Sequence, residues 1–131
     1  MEVIIDATDS ALGRMATYAA KQALLGKKVI IVNCDNILVT GKLSALLEVY
    51  KKKLARGGYA QKGPYYQKTP QGMTKRTIRG MLPWKRSRGK EAFRLIKCFN
   101  TLPEEYSGKD KITFKRASAP NVQLKRLVEL I

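Results

Sequence analysis

The sequence contains no histidine, and that absence removes the usual general base, the proton shuttle of serine and cysteine triads, and the commonest zinc ligand. Cysteine occurs only at Cys34 and Cys98, too far apart for a CxxC zinc ribbon or a thioredoxin-type dithiol. The two read as packing residues in a reduced compartment. No apolar run approaches the roughly 20 residues that span a bilayer, and Met1-Glu2-Val3 is not the basic start of a secretory signal. The chain therefore reads as cytosolic and soluble, with no membrane partner. Acidic residues are scarce, 10 against 26 lysines and arginines, for a net charge of +16 over 131 residues. Such an excess repels itself unless a polyanion neutralises it. The hydrophobic fraction of 44% still suffices to offset chain ordering by burial. One basic domain over residues 1–131 is expected.

What is present begins with a β-branched run, Val3-Ile4-Ile5. Asp6 to Ser10 supplies turn and N-cap chemistry before an apolar series at Leu12, Met15, Ala16, Ala19 and Ala23. Gly26 stops that helix, and Val29 to Val32 is an uninterrupted apolar strand of the kind covered on both faces. After a turn at Asn33 to Asn36, Ile37-Leu38-Val39 forms another strand, and Leu43, Leu46, Leu47, Tyr50 and Leu54 line a second helix. Strands and helices in this order predict an α/β fold: an open, mostly parallel sheet with helices on both faces, in three layers. The short turn after Val32 predicts one antiparallel pair, which makes the sheet mixed. Ile112-Thr113-Phe114 returns to regular structure, followed by a helix after Pro120 carrying Leu124, Leu127, Val128 and Ile131.

The middle of the chain differs. Residues 49–90 hold thirteen basic residues and no acid: Lys51, Lys52, Lys53, Arg56, Lys62, Lys68, Lys75, Arg76, Arg79, Lys85, Arg86, Arg88 and Lys90. Solvated faces mix the two signs, and this segment does not. Gly57, Gly58, Gly63, Pro64 and Pro70 predict a long loop, flexible over 57–73 and ordered on RNA. Tyr59, Tyr65 and Tyr66 supply flat rings that stack on exposed bases while neighbouring cations neutralise phosphates. Trp84, after Pro83, has two readings, as a core or interface plug and as a stacking platform. A short helix over Thr74–Leu82 would place Lys75, Arg76 and Arg79 on one side. A further helix from about Ser87 would turn Ala92, Leu95, Ile96 and Phe99 inward and leave Lys90, Arg94 and Lys97 outside. Arg14 and Lys21 sit opposite the apolar stripe of the first helix.

Patterns for catalysis fail on inspection. Gly41-Lys42 lacks the phosphate loop's earlier glycine, since position 36 is Asn36, and Leu43 stands where a Ser or Thr is required. Asp6, Asp9 and Asp35 each have an ordinary role as turn or cap residues. Glu104 and Glu105 after Pro103 suit a turn or helix start. No cofactor, metal site or small-molecule substrate is expected.

Arg79-Gly80-Met81-Leu82-Pro83, then Lys85, Gly89, Ala92, Leu95 and Pro103-Glu104-Glu105-Tyr106, resemble the universal large-subunit ribosomal protein L-thirteen family in its archaeal and eukaryotic form. Ile5-Asp6-Ala7, Gly13-Arg14, Leu25-Gly26-Lys27, Val32-Asn33 and Thr40-Gly41 resemble it in the same order. The resemblance implies a three-layer α/β protein that binds large-subunit ribosomal RNA beside neighbouring ribosomal proteins, without catalysis. Tyr66 and Lys68-Thr69 stand where members tend to carry a histidine and an Arg-Ala-Pro tripeptide. Lysine keeps the charge there and loses the planar fork, so that contact is expected to be electrostatic. Two rival readings use the same basic face. One is an RNA-processing or RNA-modifying enzyme with a metal at the aspartates, and the other is a freestanding regulatory RNA binder.

Overall fold

In the computed structural model, which describes residues 2–55, 69–114 and 120–130, with Leu54 and Ala55 as backbone only, the two β-branched runs pair directly. β1 (Glu2–Asp6) and β2 (Lys28–Val32) are parallel, with Ile5 opposite Ile31 and Asp6 opposite Val32. A parallel pair requires a crossover, and α1 (Leu12–Leu24) supplies it. β4 (Ile96–Cys98) adds to the other edge of β2, also in parallel, giving the order β1-β2-β4. As the central strand β2 is buried on both faces, which accounts for its unbroken apolar run. Ile5, Val29 and Ile31 face the main core with the helices, while Ile4, Ile30 and Val32 face the other way.

The two covers are unequal. On one face α1 packs against α3 (Pro70–Gly80) and α4 (Ser87–Arg94). The inward side of α1 is mostly alanine, Ala16, Ala19, Ala20 and Ala23 around Met15, and small side chains let helix axes approach. On the opposite face lie Phe99 and Tyr106, the latter from α5 (Glu104–Ser107), ring centroids 5.9 Å apart. The expected α/β sheet with helices on both faces is present, its second layer reduced to one helical turn and a ring pair. Glu104 and Glu105 open α5 as expected, with Pro103 at its N-cap. Gly26 ends α1 as expected: its φ is 87°, its N–H donates to the Ala23 carbonyl at 3.0 Å, and the Lys27 N–H reaches Gln22 at 3.2 Å.

Four expectations are corrected. β3 (Leu38–Thr40) does not form a hairpin with β2; a 3-10 turn at Cys34–Asn36 carries it away, and it pairs antiparallel with β5 (Asn121–Gln123) in a separate two-stranded sheet. Asn33, at φ 61°, starts that departure. The helix expected over Ser87–Phe99 ends at Arg94, because the edge of β2 captures the chain: the Val29 N–H donates to the Leu95 carbonyl at 2.9 Å, and Ile96 pairs with Val29. Ile112-Thr113-Phe114 forms no regular element; Ile112 alone bridges Ile5 on the free edge of β1. Asp6 to Ser10 does not cap α1, whose N-cap is Ala11 with no side-chain acceptor. Asp6 instead shapes the turn, its Oδ1 accepting from the Thr8 N–H at 3.1 Å and the Thr8 hydroxyl at 2.7 Å.

α6 (Leu124–Leu130) packs on α2 (Leu43–Ala55), on α3 and on the 3-10 turn. It places Leu124 and Leu127, both fully buried, in the same cluster as Ile5 and Met15. Leu127→Ala is therefore expected to lower stability by about 2–5 kcal/mol, measured as a drop in the urea midpoint at unchanged slope. A midpoint equal to that of the parent would place α6 outside the core.

Candidate nucleic-acid interface

α3 begins earlier than expected, at Pro70 instead of Thr74, for a local reason. The Thr69 hydroxyl accepts from the Gly72 N–H at 3.1 Å, and proline occupies the first turn, where its missing N–H costs nothing. Residues 69–73 of the expected flexible loop are thus capped helix. Met73, Thr74 and Ile78 turn inward, the Thr74 hydroxyl donating to the Pro70 carbonyl at 2.8 Å. Lys75, Arg76 and Arg79 are left on the outer side as expected, Arg79 exposed and the other two half-buried.

The turn into α4 is held by close contact. Gly89 is buried, and a Cβ there would overlap the Pro83 carbonyl. Only glycine lets the first turn of α4 rest on that backbone. At Gly80 the same position opens to free space. Leu82 is the residue that plugs the core, whereas Trp84 is 40% exposed. The Trp84 indole stands edge-on to Phe93, centroids 5.2 Å apart at 86°. The Arg79 guanidinium lies 5.7 Å from the indole centroid, and the Lys75 ammonium 5.0 Å from the Phe93 ring. Two cations are thereby seated on two coupled rings across α3 and α4, each contact worth about 0.5–1 kcal/mol at an exposed site. Lys85, Arg86, Arg88 and Lys90 follow, all exposed. Among the described residues, no carboxylate lies within ion-pair distance of Lys75, Arg79, Lys85, Arg86, Arg88 or Lys90.

The other expected site residues are placed differently. Lys51, Lys52 and Lys53 belong to α2, where Lys52 pairs with Glu48 at 3.4 Å and Lys53 lies 5.0 Å from the Tyr50 ring. Arg56, Tyr59, Lys62, Tyr65, Tyr66 and Lys68 lie outside the described residues. Phe93, the ring that joins Lys75 to Trp84, was absent from the expected site; its signal is its place one turn after Gly89 on the same short helix. Beside Lys75 an open cleft of about 350 Å³ is lined by Gln71, Gly72, Lys97, Cys98 and Phe99.

The Asp6 carboxylate has structural partners beyond Thr8. Asp6 also accepts from Asn33 Nδ2 at 3.0 Å. Burial raises the Asp6 pKa, yet the hydrogen bonds from Asn33 and Thr8, with the Lys111 charge, outweigh that and hold the carboxyl below its usual value. Among the described residues no three His, Cys, Asp or Glu side chains are grouped so as to hold a metal ion, and no helix is long and apolar enough to cross a membrane.

The family model described as Ribosomal protein L13 matches residues 1–105, which include the whole Arg79–Gly89 turn. The chain belongs to that family. The large ribosomal subunit protein uL13 of Archaeoglobus fulgidus is 42% identical over 107 residues, 82% of this chain and 68% of the relative. The protein of the same name from Haloarcula marismortui is 41% identical over 107 residues, covering 82% and 72%. That from Methanosarcina barkeri is 37% identical over 128 residues, covering 97% and 91%, so this similarity extends into the C-terminal elements. Within this family fold, the turn that presents the cations rests on the contact at Gly89. Gly89→Ala is expected to cost about 1–3 kcal/mol by overpacking, read as a lowered urea midpoint. Unchanged stability would show that the Pro83 backbone yields freely.

Proposed function

We propose that the chain is a structural constituent of the large ribosomal subunit, one α/β domain over residues 1–131 that binds large-subunit ribosomal RNA and neighbouring ribosomal proteins in the cytoplasm. The observation that carries this reading is the α3–α4 edge, where Arg79 lies over an exposed tryptophan and neither it nor Lys75, Lys85, Arg86, Arg88 and Lys90 has an acidic partner among the described residues. Ammonium and guanidinium groups there neutralise phosphates, and the indole offers a flat surface to an unstacked base. Membership of a ribosomal protein family supports the same reading.

The mechanism is scaffolding, with no catalytic step. The rigid body fixes the edge, and the edge draws phosphate groups of separate RNA segments together by charge. Arg76, Lys51, Lys52, Lys53, Arg56, Lys62 and Lys68 extend the cationic surface in this proposal, and Tyr59, Tyr65 and Tyr66 add stacking. Asp6 engages Thr8 and Asn33 and so serves the turn, which argues against the metal-dependent enzyme.

Arg79 separates charge from geometry. Arg79→Lys keeps the charge and loses the planar fork, so affinity for large-subunit RNA is expected to fall by about 1–3 kcal/mol, while the protein still co-sediments with large subunits at low salt. Equal affinity of the two proteins would remove Arg79 from the interface. Failure of the parent protein to co-sediment would favour the freestanding RNA binder.

A further inference from the structure

Away from the cationic edge, the fold brings together two thiols that are far apart in sequence. Cys98 stands opposite Ile31 in the β2–β4 register. Cys34 opens the 3-10 turn that follows β2, and its N–H donates to the Phe99 carbonyl at 3.1 Å. The backbone thus holds Cys34 against the residue after Cys98, and Cys98 packs against the same core cluster that buries Cys34. Neither cysteine is in a disulfide. Cys34 is fully buried, whereas Cys98 is partly exposed on the wall of the open cleft lined by Gln71, Gly72, Lys75, Lys97 and Phe99. Cys98 thus lies at the cleft wall, and Cys34 lies in the core beyond it.

We propose that Cys34 and Cys98 form an oxidisable thiol pair, in which a hydroperoxide entering the cleft reacts at Cys98 and Cys34 resolves the product to an intramolecular disulfide. In the first step the Cys98 sulfur attacks the peroxide. An S–O bond forms, the O–O bond breaks, and the distal oxygen leaves as water or an alcohol, taking the thiol proton. In the second step the Cys34 sulfur attacks the Cys98 sulfenic sulfur. The S–S bond forms, the S–O bond breaks, and the departing hydroxide takes the Cys34 proton to leave as water. The two thiols together lose two electrons and two protons, and the peroxide is reduced.

The surroundings suit the resolving role of Cys34, while the raised Cys98 thiol makes its attack on the peroxide the slow step. Hydrogen bonding from Cys98 lowers the Cys34 thiol, against the opposing effect of burial. A resolving nucleophile needs this thiolate character. Hydrogen bonding to Cys34 and burial raise the Cys98 thiol, and the Lys75 charge acts in the other direction. The resulting bond would close a loop of about 60 residues that contains α2 and α3, restricting the unfolded chain.

The test exposes the full-length protein to hydrogen peroxide at neutral pH, unfolds it in denaturant to block remaining thiols with maleimide, and maps peptides without reduction. Expected are a linked peptide pair containing Cys34 and Cys98, loss of both maleimide sites, and their return with dithiothreitol. In Cys34→Ser, dimedone is expected to label Cys98. The parent protein decides the question by itself, so a variant that folds poorly leaves the test intact. Two maleimide-reactive thiols after oxidation, a lasting dimedone adduct on parent Cys98, or disulfides only between molecules would each overturn the proposal.

Discussion

Mutual repulsion among cations that, among the described residues, no carboxylate pairs with is the constraint around which this fold is arranged. Two unit charges about 8 Å apart in water repel by roughly 0.5 kcal/mol, and salt screens the more distant pairs. The interior takes none of this charge: no described lysine or arginine is buried, and the main core is aliphatic apart from groups such as Ser10, Gln22 and Thr74. Stability must therefore come from the apolar body, from β2 with both faces covered and from the alanine face of α1 against α3 and α4. The cations are displaced outward onto helices that this body holds in place. At the α3–α4 edge, ring contacts of about 0.5–1 kcal/mol each are comparable with the repulsion between neighbours. They seat Lys75 and Arg79 without neutralising them.

That arrangement separates the two tasks of the chain. The sheet and α1 set the positions, and the turn from Met81 to Gly89 presents the charge. Gly89 links them, because the contact that brings α4 onto Pro83 also brings Phe93 under Trp84. The family match over residues 1–105 covers both parts. The C-terminal β5 and α6 complete the core by pairing with β3 and burying Leu124 and Leu127.

Much of the body was legible in the sequence because its local signals agree with its packing. Val29 to Val32 reads as a two-sided strand, and Gly26 as the end of α1, since neither depends on distant partners. The failures are places where a distant partner decides. Leu95 and Ile96 continue the helical spacing of α4, yet the open edge of β2 claims them as a strand. Ile37-Leu38-Val39 reads as a hairpin partner of β2, yet β5, some eighty residues later, takes it. Trp84 and Leu82 both suit a core plug by composition, and only packing shows that Leu82 fills the role. Cys34 and Cys98 showed no motif because register, not spacing, joins them. The cationic edge was legible through α3, where Lys75, Arg76 and Arg79 share one helical side, whereas Phe93 acquires its place only from the turn at Gly89.

A rigid apolar body carries an edge of cations without acidic partners among the described residues, and we propose the RNA backbone as their partner. The most direct measurement is the affinity of the intact protein for large-subunit ribosomal RNA across a series of salt concentrations. Neutralisation of about six phosphates predicts a slope of log K against log[salt] of roughly −4 to −5. A slope shallower than about −2 would contradict the account, because binding would then rest on contacts other than the charge the fold is built to display.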